Sequence, residues 1–199
     1  MSGGSIIIVR HGRTAFNATG RLQGRTDNPL DEVGLEQARR VARYLQPEKL
    51  ENALLICSPL LRARSTAGAI AEEIGVAIEI DDRWIELDYG TYEGFVQSDV
   101  PTEVWKAWRG NNDYAVPRGE SLNQVQSRVA LACEHLAERL EGRTAIVVTH
   151  VSPIKAAVAW ALGTDAGVSW RTQLDTASIT RITLSGNGPS LKSFNEIAR

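Results

Sequence analysis

Arg10, His11 and Gly12 follow directly on the apolar run Ile6-Ile7-Ile8-Val9. A strand of Ile and Val that breaks into a glycine turn delivers its next side chains to the edge of a sheet, and open α/β sheets bind ligands at the carboxyl edge of their strands. Gly12 is expected to take a backbone conformation closed to other residues. An imidazole beside a guanidinium at such an edge has two uses. The neutral ring can act as a nucleophile or proton carrier, and the guanidinium can fork onto the oxygens of an anion. A lone histidine in a turn would more simply make a hydrogen bond, but His11 has company elsewhere in the chain.

Four further segments offer related chemistry: Asn17 with Arg21-Leu22-Gln23-Gly24, then Ser58-Pro59-Leu60-Leu61-Arg62-Ala63-Arg64-Ser65-Thr66-Ala67, then Glu86-Leu87-Asp88-Tyr89-Gly90-Thr91-Tyr92-Glu93-Gly94, and Val147-Val148-Thr149-His150-Val151-Ser152-Pro153. Together with Arg10-His11-Gly12, this set resembles the histidine phosphatase superfamily, the phosphoglycerate-mutase-like enzymes. The likeness runs from residue 6 to about residue 193. An Arg-His-Gly triplet alone is a weak signal, whereas the segments in this order and spacing are a specific one.

Removing a phosphoryl group from a monoester needs a nucleophile, positive donors around the equatorial oxygens, and an acid for the leaving oxygen. His11 would attack phosphorus with its free ring nitrogen, giving a phosphohistidine that water then hydrolyses. The other ring nitrogen must carry the proton, and a backbone carbonyl in the Gly12 turn could hold it. Arg10 and Arg62 are the expected fork donors, because guanidinium matches phosphate oxygens bidentately where Lys cannot. The resemblance makes His150 the second active-site histidine and Asn17 an amide that contacts phosphate; Gln23 and Gly24 belong to the same substrate-binding loop. Relatives often carry Gly directly after the second histidine. Here it is Val151, whose backbone N–H at a helix start would still face an anion.

The general acid lies between Glu86 and Glu93. Glu86 occupies the family's acid position, before Tyr89-Gly90 and right after an apolar strand end, and is the choice here; Glu93, before Gly94, is expected to stabilise the next backbone turn, and Asp88 to cap locally or face outward. Arginines and histidines would supply the positive charge. No metal or cofactor is expected, since the acidic residues lack ligand spacing for magnesium or zinc.

These residues need a scaffold. Strand-like runs recur at 6–9, 54–57, 76–80 and 145–149, with further candidates at 179–184 and 191–194. Asp31 is a fitting N-cap for a helix that turns Leu35, Ala38, Val41, Ala42 and Leu45 inward and ends before Pro47. Pro59 suits the first turn of a helix through Ile74, striped by Ala63, Ala67, Ile70, Ala71 and Ile74 and closed by Gly75. Ser121 caps a helix through Leu140. Strands alternating with such helices predict an α/β fold, a three-layer α/β/α sandwich with a mostly parallel central sheet. Residues 101–120 read as a short helix and a loop over the site, in which Trp105 and Trp108 either line that site or pack the excursion onto the core.

The chain has 199 residues, 43% hydrophobic, which suits one domain spanning residues 1–199. A net charge of −2 excludes the strongly basic balance that nucleic acid or an anionic membrane would ask for. The first five residues carry no basic group, and the apolar run behind them is too short for a signal peptide, so a cytoplasmic location is expected. Cys57 and Cys133 lack metal-ligand spacing and are expected as reduced core thiols. The expected partner is a small phosphorylated substrate, with a homodimer left open.

Members of the family either pass the phosphoryl group to a second hydroxyl or release it to water. A mutase would carry Lys near Gln97 and paired arginines where this chain has Arg109-Gly110. Gly119-Glu120-Ser121 and the residues after His150 resemble instead the small phosphatases of the α-ribazole-phosphate and broad acid type. Their usual Gly before that triplet is Arg118 here, read as a substrate contact or a surface charge. A phosphomonoesterase is therefore expected, with mutase or a non-catalytic phosphoester-binding module as the alternatives. Specificity is placed in Arg21, Arg25, Gln97, Trp108 and Arg118.

Overall fold

The computed structural model describes residues 3–48, 50 and 52–198, so Met1 and Ser2 of the terminal segment lie outside the described residues. Strands β1 (Gly4–Arg10), β2 (Leu54–Cys57), β3 (Ile78–Ile80), β4 (Thr144–Thr149), β5 (Ser178–Ser185) and β6 (Gly188–Ile197) form one sheet in the order β3-β2-β4-β1-β5-β6. The first four of that order run parallel, while β5 and β6 close the other edge antiparallel. This is the mostly parallel α/β sheet expected from the sequence.

Apolar runs without alternation mean strands buried on both faces, and successive side chains divide between two cores here. Ile6, Ile8, Ile56, Ala145 and Val147 pack on Val125, Val129 and Leu136 of helix α5 (Leu122–Arg139) and Ile154 and Ala157 of helix α6 (Val151–Leu162). Ile7, Val9, Leu55, Cys57, Ile146 and Val148 face Val41 and Leu45 of α2 (Glu32–Leu45) and Ala63, Ala67 and Ile70 of α3 (Leu61–Ile74). Each of the Ile, Leu and Val side chains taken fully from water stabilises the fold by about 1.5–3 kcal/mol. Both cysteines are free and buried, and burial pushes the Cys57 thiol up to about 12, so neither is a thiolate.

The strand ends place the chemistry. Arg10 of β1 pairs with Thr149 of β4, and Cys57 of β2 with Val148 of β4. The ladder runs one step further, with His11 N–H on the Thr149 carbonyl and Ser58 N–H on the Val148 carbonyl, both 3.0 Å. His11, His150 and Ser58 thus leave three adjacent strands side by side.

Several expectations are corrected. Gly12 is not among the described glycines with positive φ; its hydrogen is needed for space, because a Cβ there would lie 2.4 Å from the Gly34 carbonyl oxygen. For the same reason Leu35 does not turn inward. The inward position is held by Gly34, whose backbone abuts Arg13, and Leu35 is 41% exposed. Pro59 precedes α3 instead of lying in its first turn: Leu60 is the N-cap, and the Leu61 N–H is capped from a distance by the Asp27 carboxylate at 2.6 Å. The strand expected at 76–80 is confined to Ile78–Ile80 at the exposed sheet edge. A four-residue helix α1 (Ala15–Ala18), capped by Thr14, and α4 (Thr102–Gly110) complete the helices around the site.

Candidate active site

His11 is 2% exposed, and its Nδ1 lies 2.7 Å from its neighbour's carbonyl, Gly12 O. An oxygen that can only accept fixes the tautomer, with the proton on Nδ1 and the lone pair on Nε2. The Gly12 N–H in turn donates to the Thr66 hydroxyl of α3 at 3.1 Å, which ties the turn to the neighbouring helix. His150 stands 5.1 Å away, ring centre to ring centre. Its Nε2 meets the Ser58 hydroxyl at 2.7 Å, and its Nδ1 accepts from Arg62 Nε at 3.2 Å. That assignment leaves the proton on Nε2, donated to Ser58.

Arg62 is fully buried in the first turn of α3 and ties two distant segments together. Besides His150 it donates to the Thr26 carbonyl (2.8 Å) and the Gly24 carbonyl (2.7 Å). Glu93 holds that same loop from beneath: one carboxylate oxygen accepts from the Arg25 N–H at 2.6 Å, and the other from the Thr26 N–H and hydroxyl at 3.0 and 2.7 Å. Gly24 has φ +52°, and a Cβ there would collide with the Glu93 carboxylate. Glu93 therefore orders not the next turn, as expected, but one far away in the sequence, because its side chain reaches across to residues 25 and 26.

Glu86 is 6% exposed and follows not a strand end, as expected, but a short 3-10 turn, Asp82–Trp84, whose Trp84 is buried. Its Oε1 accepts from the Leu87 N–H (2.7 Å) and from the Ser152 N–H (3.1 Å), an otherwise orphaned donor in the first turn of α6. The segment is anchored by Arg128 of α5, which donates to the Arg83 and Glu86 carbonyls and forks onto Glu120 at 2.8 and 3.0 Å. Asp88 caps locally by accepting from the Gly90 N–H.

Burial holds the His11 imidazole well below its usual range, and the charges of Arg62 and Arg10 push the same way; only the bond to Gly12 opposes them. His150 is depressed for the same leading reason, burial, with Arg62 next. Burial also lowers both guanidinium groups, and the charge of Glu86 acts on each in the opposite sense. One donor is left over: Arg10 Nε is buried without a partner, while its Nη1 donates to the Leu174 carbonyl. Two guanidinium groups, two neutral imidazoles and one carboxylate make a pocket that attracts an oxyanion and can hand its phosphorus to a free ring nitrogen.

The remaining expected residues divide. The side-chain oxygens of Asn17 and Gln23 both turn to Thr14, at 3.1 and 2.9 Å, which leaves their NH₂ ends as available donors. Gly24 contributes its carbonyl to Arg62, and Val151 opens α6 directly after His150. Arg118 is exposed, with φ +61°, the conformation that glycine takes most easily. Arg21 and Arg25 are engaged structurally, Arg21 on the Gly94 carbonyl and Arg25 with Asp88 and Glu120. Trp108 is 1% exposed and packs edge-on against Tyr89, so it is both core and wall. Sequence reading gave no role to Ser58, Thr66, Arg128 or Glu120; their signal is spatial, since each acts on a residue far away in the chain. Among the described residues no cluster of His, Cys, Asp and Glu is placed to hold a metal ion, and no helix is long and apolar enough to cross a membrane.

The family model for the histidine phosphatase superfamily (branch 1) matches residues 6–197. The bifunctional protein Rv2228c of Mycobacterium tuberculosis is 32% identical over 188 residues, 93% of this chain and 51% of that protein, so the chain spans about half the length of this relative. The probable phosphoglycerate mutase GpmB of Salmonella paratyphi C is 35% identical over 182 residues, 89% of this chain and 83% of that one. A histidine-to-alanine mutant of the Entamoeba histolytica phosphoserine phosphatase, solved with phosphoserine, superposes with a TM-score of 0.87 at 27% identity, covering 96% of each chain. The shared fold, the sheet-edge site and a family match over nearly the whole chain lead to one conclusion: this chain belongs to the histidine phosphatase superfamily, branch 1.

Proposed function

We propose that the chain is a phosphomonoesterase that hydrolyses a small phosphorylated metabolite through a phosphohistidine on His11. The observation that carries this reading is the His11 ring, buried against two guanidinium groups with Nδ1 tied to Gly12 O. Nε2 then holds its lone pair at neutral pH, when an ordinary histidine would already be partly protonated. Arg10 and Arg62 neutralise the phosphoryl oxygens, with His150 and the amides of Asn17 and Gln23 completing the cradle; the exposed Arg118 adds a contact to the ester. His11 Nε2 bonds to phosphorus as the bond to the leaving oxygen breaks. Glu86, as general acid, gives that oxygen its proton. As carboxylate it then takes a proton from the water that attacks the phosphohistidine, releasing inorganic phosphate and restoring both groups.

Rapid quench with ³²P-labelled ester tests the reading. An acid-labile, base-stable adduct should appear in the wild-type protein and be absent from His11→Ala, whose turnover should fall by about ten-thousand-fold. Substantial turnover in His11→Ala would overturn the mechanism. The similarity to a probable phosphoglycerate mutase keeps a second reading in view. Interconversion of 2- and 3-phosphoglycerate faster than phosphate release would favour it.

A further inference from the structure

Next to Glu86 lies a cavity of about 90 Å³ lined by Tyr89, Trp105, Trp108, Lys155 and Trp170. Leu87 and Ser152, whose N–H groups hold the Glu86 carboxylate, form its wall toward the catalytic pocket. A wider cavity of about 670 Å³ shares Trp105, Lys155 and Trp170 and opens outward past Arg109, whose guanidinium lies 5.7 Å over the Trp170 ring. The aromatic walls brace one another: Trp105 contacts both Trp108 and Trp170, at 5.4 and 6.3 Å between ring centres.

The unmet polar groups of this cavity are all donors. The indole N–H groups of Trp108 and Trp170 are buried without partners. Lys155 Nζ donates to the Ser169 carbonyl at 2.7 Å, one of the three bonds that an ammonium can make. Among the described residues no carboxylate forms a salt bridge with it. Burial pushes this amine down, and the charges of Glu86 and Arg10 both act on it, as they would on a group at the border of the catalytic pocket. A half-buried cation and two unpaired N–H groups set in aromatic walls form an incomplete set. What completes it is an apolar, flat body that ends in an anionic acceptor.

We propose that this cavity is the leaving-group subsite and that it selects phosphate esters of compact, unsaturated alcohols carrying a carboxylate, with Lys155 as the partner of that carboxylate. The proposal rests on the phosphatase reading above for the reaction, though not for the binding. Three esters of similar size separate the contributions: phenyl phosphate, 4-carboxyphenyl phosphate and 4-carbamoylphenyl phosphate. The carboxylate ester should exceed the carbamoyl ester in kcat/KM by about tenfold or more, mainly through KM. In Lys155→Gln that ratio should fall to about one, and Lys155→Arg should recover part of it. A wild-type ratio near one, or a ratio that survives Lys155→Gln, overturns the proposal. Binding is read separately by titrating 4-hydroxybenzoate against tryptophan fluorescence, which should quench saturably in the wild type and not with 4-hydroxybenzamide. If quenching occurs but none of the three esters is hydrolysed, the phosphatase reading fails and the carboxylate site remains. If all three are hydrolysed without preference and nothing quenches, the subsite falls and the phosphatase reading stands.

Discussion

His11 and His150 are kept neutral by burial first and by the two neighbouring guanidinium charges second. Protonating either would add a third positive charge to a pocket that already needs an anion. The acid limb of kcat/KM should accordingly lie below pH 6.5, the usual histidine midpoint; a limb at or above that value in a pH–rate profile would contradict the neutral-imidazole state. Glu86 and Glu93 make different predictions. Glu86→Gln should slow esters with poor alkoxide leaving groups by about 100-fold or more yet barely affect p-nitrophenyl phosphate, whose phenolate leaves unaided. Glu93→Gln, which weakens three hydrogen bonds to the 25–26 backbone and hydroxyl, should raise KM for both kinds of ester alike. A leaving-group-dependent loss in Glu93→Gln would exchange the two roles. At this scale the sequence was legible wherever a polar residue follows directly on a buried strand, as His11 and His150 do. It was silent on Arg128 and Lys155, because a lone basic residue on a helix looks the same whether it holds a distant carbonyl or faces water.

Strands and long helices were readable because their periodicity is local: an unbroken Ile/Val run needs two covered faces, and stripes such as Val125, Val129, Ala132 and Leu136 need one. The misreadings come where one element answers to another. Leu35 fits the apolar stripe of α2, yet the helix meets the His11 turn through backbone at Gly34, and only a residue without Cβ allows that approach. Helix α3 starts two residues late because its cap, Asp27, lies on the Arg25–Asp27 loop and no local signal announces it. Gly34→Ala would place a Cβ 2.0 Å from the Arg13 carbonyl oxygen. It should lower stability by about 1–3 kcal/mol in denaturant melts and shift the His11 turn enough to reduce kcat. A variant as stable and active as the wild type would mean that the contact between α2 and the turn is dispensable.

For the molecule as a whole, the depressed histidines link stability to pH. Below about 6.5 the unfolded chain binds protons that the folded one refuses, so stability falls as pH drops from there toward the folded-state values. Melting temperatures taken at pH 7.5 and 5.5 should show this loss, with a smaller loss in His11→Ala, and inorganic phosphate should offset it by drawing protons back onto the rings. EDTA should leave activity unchanged, since side chains supply the positive charge; loss on chelation with recovery on adding magnesium or zinc would require a metal. The strand order carries a further consequence, for the timing of folding. β1 and β2 are not neighbours in the sheet; what joins them is β4, which pairs with both and arrives from the far end of the chain. Until residues 144–149 slide into that slot, Arg10-His11 and Ser58 stand on separate ribbons with open edges, and His150 is not yet between them. Such late, long-range strand insertion is slow and leaves edges able to pair with other chains. Refolding followed by activity should therefore lag refolding followed by helix signal, and crowding during that interval should yield aggregates rather than a slower enzyme.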